Sequence, residues 1–209
     1  MQALFSRRVG LQLLAVVFGF FIMACKAGAG GGGGGGGGGE ATGIKRWEGQ
    51  TVYSRVGMRV EPTRKGTGWH MYSTSFIALQ KHIPAGTKFT AQNVGRNKIQ
   101  LVAEDSSVVQ VEFAPKHHQD LTFDSWLDRE ISTTPVELPS DLNSSERTAI
   151  REGKYEVGMS RAALFLSIGY PPTTRSPNIN DTVLVYERKR FMSAIAFTFD
   201  AQGRISNIK

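Results

Sequence analysis

The chain has 209 residues, with 25 Lys and Arg against 18 Asp and Glu, a net charge of +7, and a single cysteine. One Cys excludes a disulfide within the chain, and this length limits the folded part to one domain or two small ones. The basic residues are dispersed rather than gathered on one helix or arm, which argues against nucleic acid as a partner.

Arg7 and Arg8 stand in a start without acids, and the apolar run Leu11–Ala24 follows, broken only by Gln12 and Gly19. About 14 residues fall short of the roughly 20 that a helix needs to cross the hydrocarbon. A basic start, a short apolar stretch and a small residue at its end predict a secretory signal over residues 1–24. That segment closes on Ile22-Met23-Ala24-Cys25. An aliphatic residue three before, Ala one before and Cys at the cut resemble the lipobox of bacterial lipoproteins. The resemblance implies a diacylglycerylated Cys25 thiol, an acylated amine and a mature chain that begins at Cys25. Two or more acyl chains anchor stably where one is marginal. Lys26 stands where an Asp would retain such a protein in the inner membrane, which implies the periplasmic face of the outer membrane, with inner-membrane retention as the alternative because other lineages sort by different rules.

Residues 25–40 form the next predicted unit, with Gly28 and the unbroken run Gly30–Gly39. Glycine offers no side chain to bury, so this stretch is expected to be a flexible leash spanning on the order of 20 Å. No Lys-Ser/Thr pair follows it, which argues against a phosphate-binding loop. Without Arg7 and Arg8, the 25 basic residues become 23 against 18 acidic ones, a net +5. That surplus suits ordinary solubility or a neighbouring anionic headgroup layer.

Residues 41–131 read as a β-rich lobe with a terminal helix. Val52, Val56, Met58 and Val60 alternate with polar positions, the period of a half-buried strand. Trp69–Ser73, Ser75–Leu79, Lys88–Val94, Lys98–Ala103 and Val108–Phe113 continue the pattern between Gly- and Pro-containing turns. Short, closely spaced strands predict a small antiparallel barrel or sandwich. Leu121–Ile131 then reads as a helix, with Thr122 as N-cap and Leu121 and Trp126 placed as a hydrophobic staple. Residues 132–142 hold Pro135 and Pro139 and read as a hinge.

Residues 143–209 begin with Asn143 and Glu146 at capping-box spacing, and Gly153 is placed to stop that helix. A second helix opens at Ser160, with Met159 and Leu164 as staple, and ends at Gly169 before Pro171-Pro172. Strands are predicted over Thr182–Glu187, Phe191–Asp200 and Arg204–Ile208, with a tight turn ending at Gly203. The predicted fold class is α+β: an N-terminal β-rich small barrel or sandwich, and a C-terminal lobe of two helices packed on a three-stranded antiparallel sheet.

The C-terminal order and its motifs resemble the SmpA/OmlA (BamE-like) family of envelope lipoproteins. The matching residues are Gly158-Met159-Ser160, then Gly169 and Pro171, then Tyr186 leading to Phe197, Phe199 and Gly203. Family members usually carry Trp two places before that Tyr, where this chain has Leu184. The resemblance covers about a third of the chain. It implies those residues as structural ones and an accessory role in outer-membrane protein assembly, with barrel-assembly components as partners.

Chemistry is sparse in the sequence. The four histidines are His70, His82, His117 and His118, and no His-x-x-x-His pair, G-x-S-x-G elbow or Cys-based zinc site occurs. The expectation is a non-enzymatic, lipid-anchored envelope protein without metal or cofactor, serving as a scaffold or accessory in outer-membrane assembly or envelope integrity. The alternative is a protein-binding or inhibitory module acting on an exported enzyme or peptide. Arg188, Lys189 and Arg190, in the predicted turn between two strands, are the candidate contact for a partner or for headgroups.

Overall fold

Alternating apolar and polar residues outnumber helical repeats in this chain, and the computed structural model is mostly sheet. It describes residues 40–74, 76–189 and 193–209. The predicted signal, Cys25, the glycine run and Arg190 lie outside these described residues.

A short helix, α1 (Glu40–Lys45), precedes seven strands: β1 (Thr51–Ser54), β2 (Met58–Pro62), β3 (Trp69–Tyr72), β4 (Lys81–Ile83), β5 (Lys88–Gln92), β6 (Lys98–Ala103) and β7 (Val108–Glu112). A 3-10 turn at Pro115–His117, helix α2 (Phe123–Glu130) and the two-residue strand β8 (Ile131–Ser132) follow. All eight strands join one sheet in the order β4-β2-β3-β7-β6-β5-β1-β8. The pairings are antiparallel except that of β3 with β7, which is parallel, with His70 opposite Gln110 and Tyr72 opposite Glu112. Alternation places Val60, Met71, Ile99, Leu101, Val109 and Val111 on the inner side of this curled sheet, where Trp126 and Leu127 of α2 join them. The side chain of Thr122 accepts from the Ser125 N–H and caps α2.

Helices α3 (Ser144–Glu152) and α4 (Arg161–Ile168) then lead to β9 (Val183–Tyr186), β10 (Ile195–Phe199) and β11 (Ile205–Ile208). These three strands form a separate antiparallel sheet in the order β11-β10-β9. A reciprocal capping box between Asn143 and Glu146 starts α3, and Gly153 in the left-handed region ends it.

Several expectations are corrected. The large sheet is a single mixed, half-barrel layer and not an antiparallel barrel or two-layered sandwich, because β7 returns beside β3 in parallel. The α+β class with two helices laid on a C-terminal sheet is also wrong. The chain is mainly strand with few short helices, α3 packs chiefly on α4, and α4 also meets β2 of the large sheet. The composition of α4 accounts for this. Ala163, Leu164, Phe165, Ser167 and Ile168 are all buried, and a helix apolar on most of its surface must be covered on more than one side. Finally, the predicted strand at Ser75–Leu79 is irregular among its described residues. Ile77 instead packs into the core of the small sheet, and the Ile77 and Ala78 N–H groups donate to the carbonyls of Glu187 and Arg188.

The stretch read as one strand from Val52 to Val60 is two, interrupted at Arg55–Gly57. Gly57 is needed there. Its N–H donates to the Leu166 carbonyl at 2.9 Å, and a Cβ at this position would sit 2.0 Å from the Ser167 carbonyl oxygen. At Gly57 the segment between β1 and β2 thus meets α4 backbone to backbone.

Candidate functional site

The outer face of β2, β3 and β7 is the floor of an open groove of about 1120 Å³. Alternation sends Met71, Val109 and Val111 inward, so Glu61, His70, Tyr72, Gln110 and Glu112 are left to line the outer side. The β2–β3 connection, with Thr63, Arg64, Lys65 and Thr67, forms one wall. Lys116 and His117 of the 3-10 turn, with Glu187 and Lys189 after β9, form the others, and Thr74, Phe76 and Leu79 close the base.

Charges in this groove divide unequally into paired and unpaired. His70 Nε2 lies 3.2 Å from Glu112 Oε2, and Arg175 Nε lies 3.0 Å from Glu187 Oε1. Among the described residues, no ion pair engages Arg64, Lys65, Lys116 or Lys189. Of the acids that line the groove, Glu61 alone is in no ion pair among the described residues. The His117 imidazole is held below its ordinary pKa, by burial first and by Lys116 second. Aromatic faces run along the floor, with His70 and Tyr72 centroids 4.1 Å apart and Tyr72 and Phe76 at 5.7 Å. The Thr63 and Thr74 hydroxyls are buried without a partner among the described residues, although Thr74 is 2% exposed and lines the groove.

A second polar cluster is buried. Glu130, the last residue of α2, is 1% exposed, and both its carboxyl oxygens lack a partner among the described residues. Burial pushes its carboxyl up to about 7, and Arg129 only partly opposes this. The Arg129 guanidinium lies 4.3 Å above the Tyr170 ring, so α2 reaches the loop that follows α4. His118 stacks on Phe113 at 5.4 Å and turns Nε2 to the Ser73 carbonyl at 2.8 Å, so that nitrogen carries the proton. Burial lowers His118 to about 4, with Arg129 and His117 contributing. His117 and His118 therefore point apart, one into the groove and one into the core.

Of the residues singled out from the sequence, Lys189 lines the groove. Arg188 is exposed and its carbonyl accepts from the Ala78 N–H, while Arg190 lies outside the described residues. The motif residues of the C-terminal region gather around α4 and the small sheet. The Gly158 N–H donates to Ile205 O, Met159 is buried, and the Ser160 side chain caps α4. Gly169 ends that helix, its carbonyl accepts from the Tyr186 hydroxyl at 2.8 Å, and Pro171 is buried beyond it. Phe197 and Phe199 are buried, and Gly203 makes the β10–β11 turn with φ +73°. These residues build structure and do not converge on the groove.

Sequence reasoning missed the groove. Thr63 and Thr74 flank β3, whereas Gln110 and His117 lie some forty residues further on, and the parallel β3–β7 pairing brings the two stretches side by side. Among the described residues, no three His, Cys, Asp or Glu side chains are grouped to hold a metal, and no helix is long and apolar enough to cross a membrane. Comparison with family models, curated proteins and solved structures finds no match.

Proposed function

We propose that this chain is a lipid-anchored, non-catalytic binding protein of the bacterial envelope. It is held through Cys25 at the periplasmic face of the outer membrane and serves envelope assembly or integrity. The observation that carries this reading is the succession of Arg7-Arg8, a short apolar run, Ile22-Met23-Ala24-Cys25 and a glycine leash. The groove also supports the reading. It has volume, aromatic faces and unpaired cations, the features of a recognition surface. The anchor motif and the groove support a tethered binding protein, and the assembly role is what the C-terminal resemblance implies.

Fractionation with intact-mass measurement tests the anchor. The wild-type chain should lose residues 1–24, gain acyl mass at Cys25 and remain with membranes until detergent is added. Cys25→Ser should abolish the acyl mass and leave an uncleaved or soluble form. A Cys25→Ser chain that is processed and partitions like wild type refutes the proposal.

A further inference from the structure

We infer that the groove over β2, β3 and β7 binds an acidic oligosaccharide segment. This inference deepens the binding role proposed above and rests on it. Three features select that chemistry. The first is the charge balance: Arg64, Lys65, Lys116 and Lys189 come from three separate walls and have no ion pair among the described residues, while of the groove's acids Glu112 and Glu187 are already engaged and Glu61 alone is not, so the unpaired charge is a surplus of cations. Cations spread along a trough suit a ligand that carries carboxylates at intervals, and hydrogen bonds to ionised groups are the strong ones.

The second feature is the floor. Tyr72 and Phe76 supply flat apolar faces, against which the C–H face of a sugar ring can lie, and Gln110 lies exposed beside them. Gln110, Thr67 and the exposed part of Thr63 add amide and hydroxyl groups to the lining, which can donate to and accept from a ligand rich in hydroxyls.

The third feature disfavours the main competitor, an acidic peptide. Extended peptides are commonly captured by adding a strand to an open sheet edge. Here β3 lies between β2 and β7, and β7 lies between β3 and β6, so the floor consists of interior strands and presents side chains in place of an edge. Side-chain amides, hydroxyls and aromatic faces are what remain to read a ligand.

The test uses the full chain, purified in detergent, and measures its affinity for hexagalacturonate, the methyl ester of that hexasaccharide, hexaglutamate, and dihexanoylphosphatidylglycerol below its micelle concentration. Hexagalacturonate should bind in a salt-sensitive way, the ester should bind at least about tenfold more weakly, and the other two should be weaker still. Lys65→Ala should weaken hexagalacturonate binding by about tenfold, while Arg151→Ala, the same charge change on α3 outside the groove, should leave it unchanged. Tyr72→Leu keeps apolar bulk and removes the flat face, so it should also weaken binding, and Phe76→Leu provides the same test if the first variant fails to fold.

Equal or tighter binding of hexaglutamate overturns the inference in favour of an acidic peptide site. Tightest binding of the phosphatidylglycerol overturns it in favour of headgroups. No binding by any probe, or equal losses in Lys65→Ala and Arg151→Ala, also overturns it. Each of these results leaves the lipid-anchor reading standing, because that reading is decided by Cys25→Ser fractionation.

Discussion

The 142–209 region and the 50–132 region treat buried polar groups in different ways. In the first, the Glu146 carboxylate accepts from the Asn143 N–H at 3.1 Å and the Ser160 N–H at 2.8 Å, and meets Arg204 Nη1 at 3.3 Å. The Ser167 hydroxyl is placed 3.1 Å from the Ala149 carbonyl and 2.6 Å from that of Lys154, and the Tyr186 hydroxyl donates to Gly169. Thr173 Oγ1 is the sole buried side-chain polar atom there without a partner among the described residues. In the second region, His118 Nδ1, Arg129 Nη2, both Glu130 oxygens and the hydroxyls of Thr63 and Thr74 are unpartnered on the same basis. A satisfied interior favours one structure, whereas an unsatisfied buried group costs free energy and responds to protons or ligands. The contrast separates a part that fixes the fold from a part that carries responsive chemistry.

The largest expected effect tests whether the satisfied region is also tightly packed. Phe197 is fully buried, edge-on to Tyr155 at 5.0 Å and to Tyr186 at 5.4 Å. Phe197→Ala should cost about 3–5 kcal/mol in urea unfolding, from lost burial and a residual cavity. A loss below about 1.5 kcal/mol would mean that this core collapses around the gap and is not tightly packed.

The next effect belongs to the unsatisfied region and depends on pH. A carboxyl that titrates near 7 in the fold and at 4.5 when unfolded binds more protons in the native state between those values. Its stability contribution is therefore present below pH 4.5, declines as pH rises, and is gone above about 7. The difference amounts to about 3 kcal/mol. His118 has the opposite sign. Its folded value near 4 lies below the ordinary 6.5, so its contribution is present above 6.5 and is lost as pH falls toward 4. Between about 4.5 and 6.5 the two slopes oppose each other. Glu130→Gln should match wild type near pH 4.5, exceed it by about 3 kcal/mol at pH 8, and expose the rising His118 slope. Parallel stability–pH curves for wild type and Glu130→Gln would show that Glu130 finds a partner in solution.

This contrast also governs what the sequence discloses. The caps at Thr122, Asn143 and Ser160, and the stop at Gly153, are local arrangements in which spacing and geometry coincide, and each was legible. The parallel return of β7 beside β3, the break at Arg55–Gly57 and the docking of Ile77 into the other core are settled by distant partners. They left no periodic trace, so the barrel-or-sandwich and helices-on-sheet expectations failed together. Glu130 reads in sequence as an ordinary helical acid, and its burial beside Arg129 and Tyr170 is a tertiary fact. Of the groove, Lys189 is the contact candidate that the sequence discloses, because a basic turn is visible locally and its facing wall is not.

Gly57 sits where the two regions touch, so it tests whether they can separate without loss. Adding a Cβ there drives it into the Ser167 carbonyl, and backbone on both sides must yield. Gly57→Ala should cost about 1–3 kcal/mol, the usual range for forcing extra atoms into a closed contact. If the regions are coupled through this contact, hydrogen exchange should quicken at the Leu166 end of α4 as well as around β2. Faster exchange confined to residues 55–60 would show that the regions tolerate separation.

The smallest expected effect is on stability at the groove, and its smallness is informative. Arg64 and Lys65 are exposed on the β2–β3 connection and make no ion pair among the described residues. Nothing in the fold depends on their charge, so the double reversal Arg64→Glu with Lys65→Glu should move unfolding free energy by no more than about 0.5 kcal/mol. Reversing two charges on one wall nonetheless changes the sign of the potential along that side, from one that attracts carboxylates to one that repels them. The variant should unfold like wild type while losing acidic-ligand binding at low salt, with the gap narrowing as salt screens the wall. A loss of more than about 1 kcal/mol would mean that these cations already serve the fold. The responsive chemistry of this region would then reside in the Glu130–His118 interior alone.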